Sequence, residues 1–228
     1  MSSPAVEEAV AERLAGVRER IARACTRTGR DPAAVTIVAV SKGHPTDAVA
    51  AAARAGLSHF GENRVQEALP KIEALREAGV SATWHLVGHL QSNKARVAAA
   101  AFPVIHSVDS ERLLARLDSV ATAPVDVLLQ LNLAAEPQKH GAPAGQLPAL
   151  VAAARALPRI RLQGLMTIAP YVADAEEVRP VFRELNALAQ RFELAELSMG
   201  MTDDLEVAVE EGATLVRVGR ALFGERSP

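Results

Sequence analysis

The sequence holds one cysteine in 228 residues. Cys25 alone rules out an intrachain disulfide and suits a reducing compartment. No apolar run approaches the roughly 18 residues that a membrane-spanning helix needs. Neither charge is in excess: the formal net charge is -2, which gives no support to nucleic acid or an anionic membrane as a partner. The amino-terminal stretch is not a signal peptide, because Glu7, Glu8, Glu12, Arg13, Arg18 and Glu19 interrupt it. A soluble cytoplasmic protein is expected, with no nucleic acid and no membrane among its partners. The nucleotide loops G-x-G-x-x-G and G-x-x-x-x-G-K-[ST] are also missing, which argues against a doubly wound nucleotide-binding sheet. Lysine is scarce as well. Only Lys42, Lys71, Lys94 and Lys139 occur among many arginines. A position that keeps lysine can need an amine that loses its proton, which arginine does not supply.

What is present is an alternation. Residues 4–25 read as an amphipathic helix, with Val6, Val10, Leu14, Val17 and Ile21 at steps of three and four and a start at Ser3 and Pro4. Strands are expected at 35–41, 57–61, 83–87, 104–108, 125–132, 161–167, 194–199 and 214–219. Helices are expected between them at 46–55, 63–78, 92–101, 110–120, 146–156, 174–192 and 203–211. Pro70 falls inside the second of these, so that helix is expected to start only near Leu69. A loop with Pro137, Gly141 and Pro143 precedes the helix at 146–156. Eight strands alternating with helices imply parallel pairing and right-handed crossovers. In about 190 residues they fit a closed (β/α)8 TIM-type barrel, one domain over 1–228, better than an open sheet. The helix at 4–25 has no strand before it. It is expected on the outside of the barrel, in place of a helix after strand eight.

In such barrels chemistry collects at the carboxyl ends of the strands. The first strand, VTIVAV, is apolar at every position but Thr36 and then delivers Ser41 and Lys42. Later strands deliver Asn63, His85, His89, His106, Asn132 and Thr167. The last two are the most informative. Ser198-Met-Gly-Met-Thr202 runs from a strand into a helix, and Arg217-Val-Gly-Arg220 follows the eighth strand. Gly200 permits close backbone approach, and the amides of Met201 and Thr202 would point at an anion. Asp203 is expected to cap the helix, with Glu206 completing a capping box. Strands one and eight are barrel neighbours. An amine at Lys42 beside a phosphate cradle describes either a pyridoxal phosphate (PLP) site or a Schiff-base aldolase for a sugar phosphate. His85 and His89 lack a third ligand at helical spacing, so no metal is expected. Cys25 and Trp84 read as packing residues.

Four segments carry a resemblance. FGENRVQE (Phe60–Glu67), WHLVGHLQSNK (Trp84–Lys94), GLMTIAP (Gly164–Pro170) and LSMGMTDDLEVAVEEGATLVRVGRALFG (Leu197–Gly224) resemble the pyridoxal phosphate homeostasis protein family. The likeness runs from about Val35 to Gly224 with matching order and spacing. It implies a barrel of the alanine racemase type (PLP fold type III) without that enzyme's second, β-rich domain. It implies that Lys42 holds PLP as a Schiff base and that Ser198, Gly200, Met201, Thr202 and Gly219 hold the phosphate. Arg217 would meet the pyridine nitrogen, and Asn63 would lie on the 3-hydroxyl side. There is no catalytic residue in this reading. The implied function is a cofactor carrier in vitamin B6 and amino-acid homeostasis, a monomer that serves PLP-dependent apoenzymes. The alternative is an amino-acid racemase. Racemases of this fold take one acid/base from the second domain, and the only tyrosine here is Tyr171, on the loop after strand six. Two positions depart from the family: His44 stands in VSKGHP where VSKTKP is commoner, and Arg64 where tyrosine is usual. Thr202 replaces the commoner serine and keeps its hydroxyl.

Overall fold

The structure is a computed structural model that describes residues 4–134, 136 and 138–225. Ser3 and Pro137, named above, lie outside them. The strands are β1 (Thr36–Val40), β2 (His59–Glu62), β3 (Thr83–Leu86), β4 (Val104–Val108), β5 (Val125–Leu131), β6 (Ile160–Thr167), β7 (Glu196–Ser198) and β8 (Leu215–Val218). They close in chain order into a barrel, β8 returning beside β1, and every pair is parallel. The helices are α1 (Pro4–Thr28), α2 (Thr46–Arg54), α3 (Val65–Glu77), α4 (Ala95–Ala101), α5 (Glu111–Val120), α6 (Leu147–Ala156), α7 (Arg179–Arg191), α8 (Leu205–Glu210) and α9 (Arg220–Phe223). Single 3-10 turns lead into α4, α6 and α7, which is why those helices begin later than their sequence pattern.

Two ranges differ further. α3 starts at Val65, ahead of Pro70, and not near Leu69. A proline in the second turn removes one backbone bond, while Val65, Ala68, Lys71 and Leu75 keep one continuous buried stripe across it. The stripe outweighs the lost bond. α1 runs three residues past the expected end. Gly29, at φ +68°, then stops it, and the Arg30 amide bonds back to the Cys25 carbonyl at 3.0 Å.

Strand periodicity divides the core. Ala39, Phe60, Ile105, Leu129, Leu165 and Val216 face the helices. Val38, Val40, Val87, Leu128, Met166 and Leu215 form a separate cluster inside the barrel. Because successive side chains alternate, Lys42 continues the inward phase of Val38 and Val40 past the end of β1. It therefore reaches the barrel mouth. Cys25 is buried in α1, and burial pushes its thiol up. Trp84 packs on Phe60 with ring centroids 5.5 Å apart.

α1 packs outside the barrel against α2, α8 and α9, as expected, but it does not replace a helix after the eighth strand, because the short α9 follows β8. Arg20 fixes it to the far end of the chain. The guanidinium donates to both Glu206 carboxylate oxygens at 2.6 Å and to the Thr202 carbonyl at 2.8 Å. Arg30 donates to the carbonyls of Val209 and Ala213.

Candidate functional site

A cavity of about 470 Å³ opens at the carboxyl ends of the strands. Lys42, Asn63, Met201, Thr202, Arg217 and Gly219 line it, so these six expected site residues do come together. Gly200 and Ser198 lie behind the wall and are fully or nearly fully buried. His44 and Arg220, on either side, also face the cavity. The tight turn after β1, with Gly43 at φ +71° and the His44 amide 3.0 Å from the Ser41 carbonyl, sets His44 there. Its ring packs on Phe223 at 5.0 Å.

The loop between β7 and α8 is shaped by Gly200. Its φ is +87°, and a Cβ there would sit 2.5 Å from the Ala208 Cβ. Its carbonyl accepts from the Arg217 amide at 3.0 Å, which ties the loop to β8. The Met201 amide does not point at open space. It donates to Asp204 Oδ1 at 2.6 Å, because the buried Asp204 carboxylate needs a donor and this one is nearest. Burial pushes the Asp204 carboxyl up, and the Met201 amide and Arg217 oppose it. The expected cap also changes. Asp204 holds the N-cap position without a side-chain cap bond. Asp203 instead takes Arg220 at 2.5 and 2.6 Å, and Glu206 goes to Arg20. Thr202 Oγ1 accepts from the Ala221 amide at 3.3 Å. At Gly219 a Cβ would come within 3.2 Å of the Val40 carbonyl oxygen, so glycine lets the end of β8 approach the chain just before Lys42.

Arg217 is buried with its guanidinium reaching the cavity floor. Nη1 donates to Ser198 Oγ at 2.6 Å, and Nη2 donates to the Thr167 carbonyl at 2.9 Å. Burial lowers its pKa to about 10, with Asp204 opposing, so it stays a cation at neutral pH. Ser198 thus lies under Arg217 and is not among the residues lining the cavity. Its hydroxyl already meets Arg217 and, at 2.8 Å, His106 Nδ1.

Sequence reasoning assigned no role to three further groups. Gly88 presses against the site: a Cβ there would lie 2.3 Å from the Asn63 carbonyl oxygen. Lys71 and Glu62 form a buried ion pair at 2.7 Å behind Ser41. Ser41 Oγ donates to the same Glu62 oxygen at 2.6 Å, and Lys71 also donates to the Ser41 carbonyl at 2.7 Å. The scarcity of lysine was the available signal for Lys71. The third group is a run of histidines inside the barrel. His85 bonds His59 and His106 there. It is therefore parted from His89, which lies on the rim. His89 gathers with Asp109 and His140 within 4.8 Å. The His89 and His140 rings stack at 3.9 Å, 6° from parallel. Lone pairs in parallel planes do not converge on one ion, so this arrangement makes no joint metal site as it stands.

An amine facing glycine-lined loops, a threonine hydroxyl and a buried guanidinium suits an aldehyde that carries an anionic group. Residues 13–227 match the family described as alanine racemase, N-terminal domain. A Pseudomonas aeruginosa protein is 45% identical over 222 residues, covering 95% of this chain and 96% of the relative. One from Escherichia coli is 43% identical over 226 residues, covering 95% and 97%. Both carry the name pyridoxal phosphate homeostasis protein. The chain belongs to the pyridoxal phosphate homeostasis protein family. PipY of Synechococcus elongatus, solved without PLP, superposes with a TM-score of 0.84 at 42% identity, covering 94% of this chain and all of PipY. Solved with PLP bound, it gives 0.80 at 41% identity over the same shares. Within this family frame the two departures differ in place. His44 lines the cavity, whereas Arg64 is exposed and pairs with Glu67 at 3.0 Å.

Proposed function

We propose that this chain binds PLP in the mouth of the barrel, with Lys42 as its covalent anchor. It holds the cofactor for vitamin B6 and amino-acid homeostasis and does not turn over a substrate. The observation that carries this reading is the meeting of Lys42, Thr202, Gly219 and Arg217 around one cavity. When bound, PLP supplies an aldehyde for an amine and a ring that withdraws electrons. Gly200, Met201, Thr202 and Gly219 shape the pocket for its phosphate, and Asn63 serves the 3-hydroxyl side. Thr202 gives a hydroxyl, while the Met201 contribution comes from its place on the wall, since its amide is engaged by Asp204. Ser198 leaves the phosphate set and supports Arg217. Arg217, held as a cation, disfavours a protonated ring nitrogen and so weakens electron withdrawal. That suits holding a cofactor over driving carbanion chemistry.

Tyr171 favours the carrier over the racemase. It is 92% exposed and does not line the cavity, so the only tyrosine is not posed as an acid/base there. The carrier acts as a cytoplasmic monomer that passes PLP to dependent apoenzymes. The test is spectroscopic. Protein incubated with PLP should absorb near the visible, and borohydride should fix the cofactor mass on the Lys42 peptide. Lys42→Ala should lose both signals. Wild-type protein that stays colourless and unlabelled refutes the assignment, and alanine racemisation at an ordinary enzymatic rate refutes the carrier role.

A further inference from the structure

A line of hydrogen-bonded side chains crosses the interior of the barrel. Arg217 Nη1 meets Ser198 Oγ at 2.6 Å, and Ser198 Oγ meets His106 Nδ1 at 2.8 Å. His106 Nε2 meets His85 Nδ1 at 2.8 Å, and His85 Nε2 meets His59 Nδ1 at 2.9 Å. Ser198 and His106 are fully buried, and His85 is 2% exposed. His59 opens β2 at the amino end of the barrel. It is half-buried and lines a second cavity of about 560 Å³ beneath α1. The line therefore joins the floor of the cofactor cavity to the opposite end of the molecule.

Counting protons fixes its direction. A neutral imidazole has one N–H and one bare nitrogen. His106 and His85 each use one nitrogen on either neighbour, and His59 uses Nδ1 on His85, so the tautomer of one ring dictates the next. Two all-neutral arrangements exist. In the first, Ser198 O–H donates to His106 Nδ1, His106 Nε2–H donates to His85, and His85 Nε2–H donates to His59. In the second, every bond reverses, and His106 Nδ1–H donates to Ser198. Arg217 has no acceptor, so it donates to Ser198 in either case. In the second arrangement both Ser198 lone pairs are taken and, among the described residues, its proton has no acceptor in a fully buried place. An unmade buried hydrogen bond is costly. The first arrangement satisfies every group and leaves His59 Nε2–H as the terminal donor, beside the lower cavity and in the field of the Glu196 carboxylate. Burial keeps His85 and His106 neutral, which the scheme requires.

We propose that His106, His85 and His59 are positioning residues for Arg217: a one-way relay of Nε2–H tautomers that turns the Ser198 proton away and its lone pair towards the guanidinium. The Thr167 carbonyl takes Nη2, so Ser198 and Thr167 together fix the guanidinium plane against the cavity floor. The benefit to PLP binding rests on the function proposed above; the tautomers do not.

Two measurements test it on the full-length protein. Long-range ¹H–¹⁵N spectra at pH 7.5, assigned with single histidine-to-glutamine variants, report which ring nitrogens carry protons. Protonated Nε2 and bare Nδ1 in all three rings are expected. A protonated Nδ1 in His106, or mixed tautomers along the line, overturns the relay. The second measurement is the Kd for PLP. His106→Gln places an amide that can still accept from Ser198 and donate to His85, and binding within about threefold of wild type is expected. His106→Leu removes the acceptor, and weakening of at least tenfold is expected. Equal effects of the two variants, or none, overturn the positioning role. If wild-type protein binds no PLP, the cofactor assignment fails and the spectra alone judge the relay.

Discussion

Lys71 Nζ stands 2.7 Å from Glu62 Oε1, with both side chains almost fully buried. The pair joins α3 to the end of β2. Through the Ser41 carbonyl and hydroxyl it also grips the residue before Lys42. Among the described residues Glu62 Oε2 has no hydrogen-bond partner, so this carboxylate depends heavily on Lys71. Breaking one side of a buried pair strands the other charge and costs about 3–5 kcal/mol. Lys71→Met should lose stability of that order in urea unfolding and disturb the anchor at Lys42. The double variant Lys71→Met with Glu62→Leu should lose less. A single variant within 1 kcal/mol of wild type would show that Glu62 finds another partner.

Gly88→Ala should damage the cavity from behind. The added Cβ would meet the backbone of Asn63 at 2.3 Å, and backbone cannot swing away as a side chain can. Asn63 must shift towards the cavity or the loop after β3 must rise. Overpacking of this kind costs about 1–3 kcal/mol. The expected result is weaker PLP binding with Lys42 still chemically competent. Unchanged affinity would remove Asn63 from the cofactor's surroundings.

Arg20→Ala should act on the cavity from outside the barrel. The guanidinium joins α1 to Glu206 and to the carbonyl of Thr202, a residue on the cavity wall. The ion pair is partly exposed, so its loss should cost only about 1 kcal/mol. The Thr202 carbonyl contact makes the expected effect on PLP affinity larger than the effect on stability. Measuring both on one preparation separates them. If affinity is untouched, α1 is only a cover for the barrel.

The barrel was legible because each strand and helix carries its own period, and eight repeats outweigh errors at the ends. The rim was legible too: Lys42 and Arg217 stand in phase with inward-facing neighbours, and the glycines mark close approaches. Illegible features were those made by pairing between distant segments. Nothing local to Asp204 shows that it takes the Met201 amide and leaves Asp203 to Arg220. The scarcity of lysine marks Lys71, but nothing near it in sequence order shows that it is buried until Glu62 is set opposite it. His59, His85 and His106 come from three different strands, and only barrel register brings their rings into line. Ser198 illustrates the same point, since sequence order sets it near Thr202 while strand phase turns its hydroxyl under Arg217.

The buried histidines give the stability a definite dependence on pH. Burial and the neighbouring His59 lower the His85 pKa to about 3, against an ordinary 6.5. His106 is also pushed well below 6.5, by burial, His85 and Arg217. The unfolded chain therefore takes up protons near pH 6.5 that the folded chain refuses. Stability from these two groups is fully present above pH 6.5 and is lost as pH falls from there towards the folded values. The slope should reach about 1.4 kcal/mol per pH unit for each histidine. His59, lowered by burial as well, adds to the upper part of that window. Carboxylates held low by arginines, such as Glu206 and Glu211, release their contribution only at more acid pH. Asp204, pushed up by burial, acts with the opposite sign, and His89, lowered by burial, adds to the histidine contribution, so urea unfolding between pH 7.5 and 5 is compared between wild type and variant. His85→Gln should flatten the curve by about one proton's worth. A wild-type curve that is level from pH 6.5 to 5 would mean that the barrel interior accepts protons, and the neutral line from Ser198 to His59 would then fall with it.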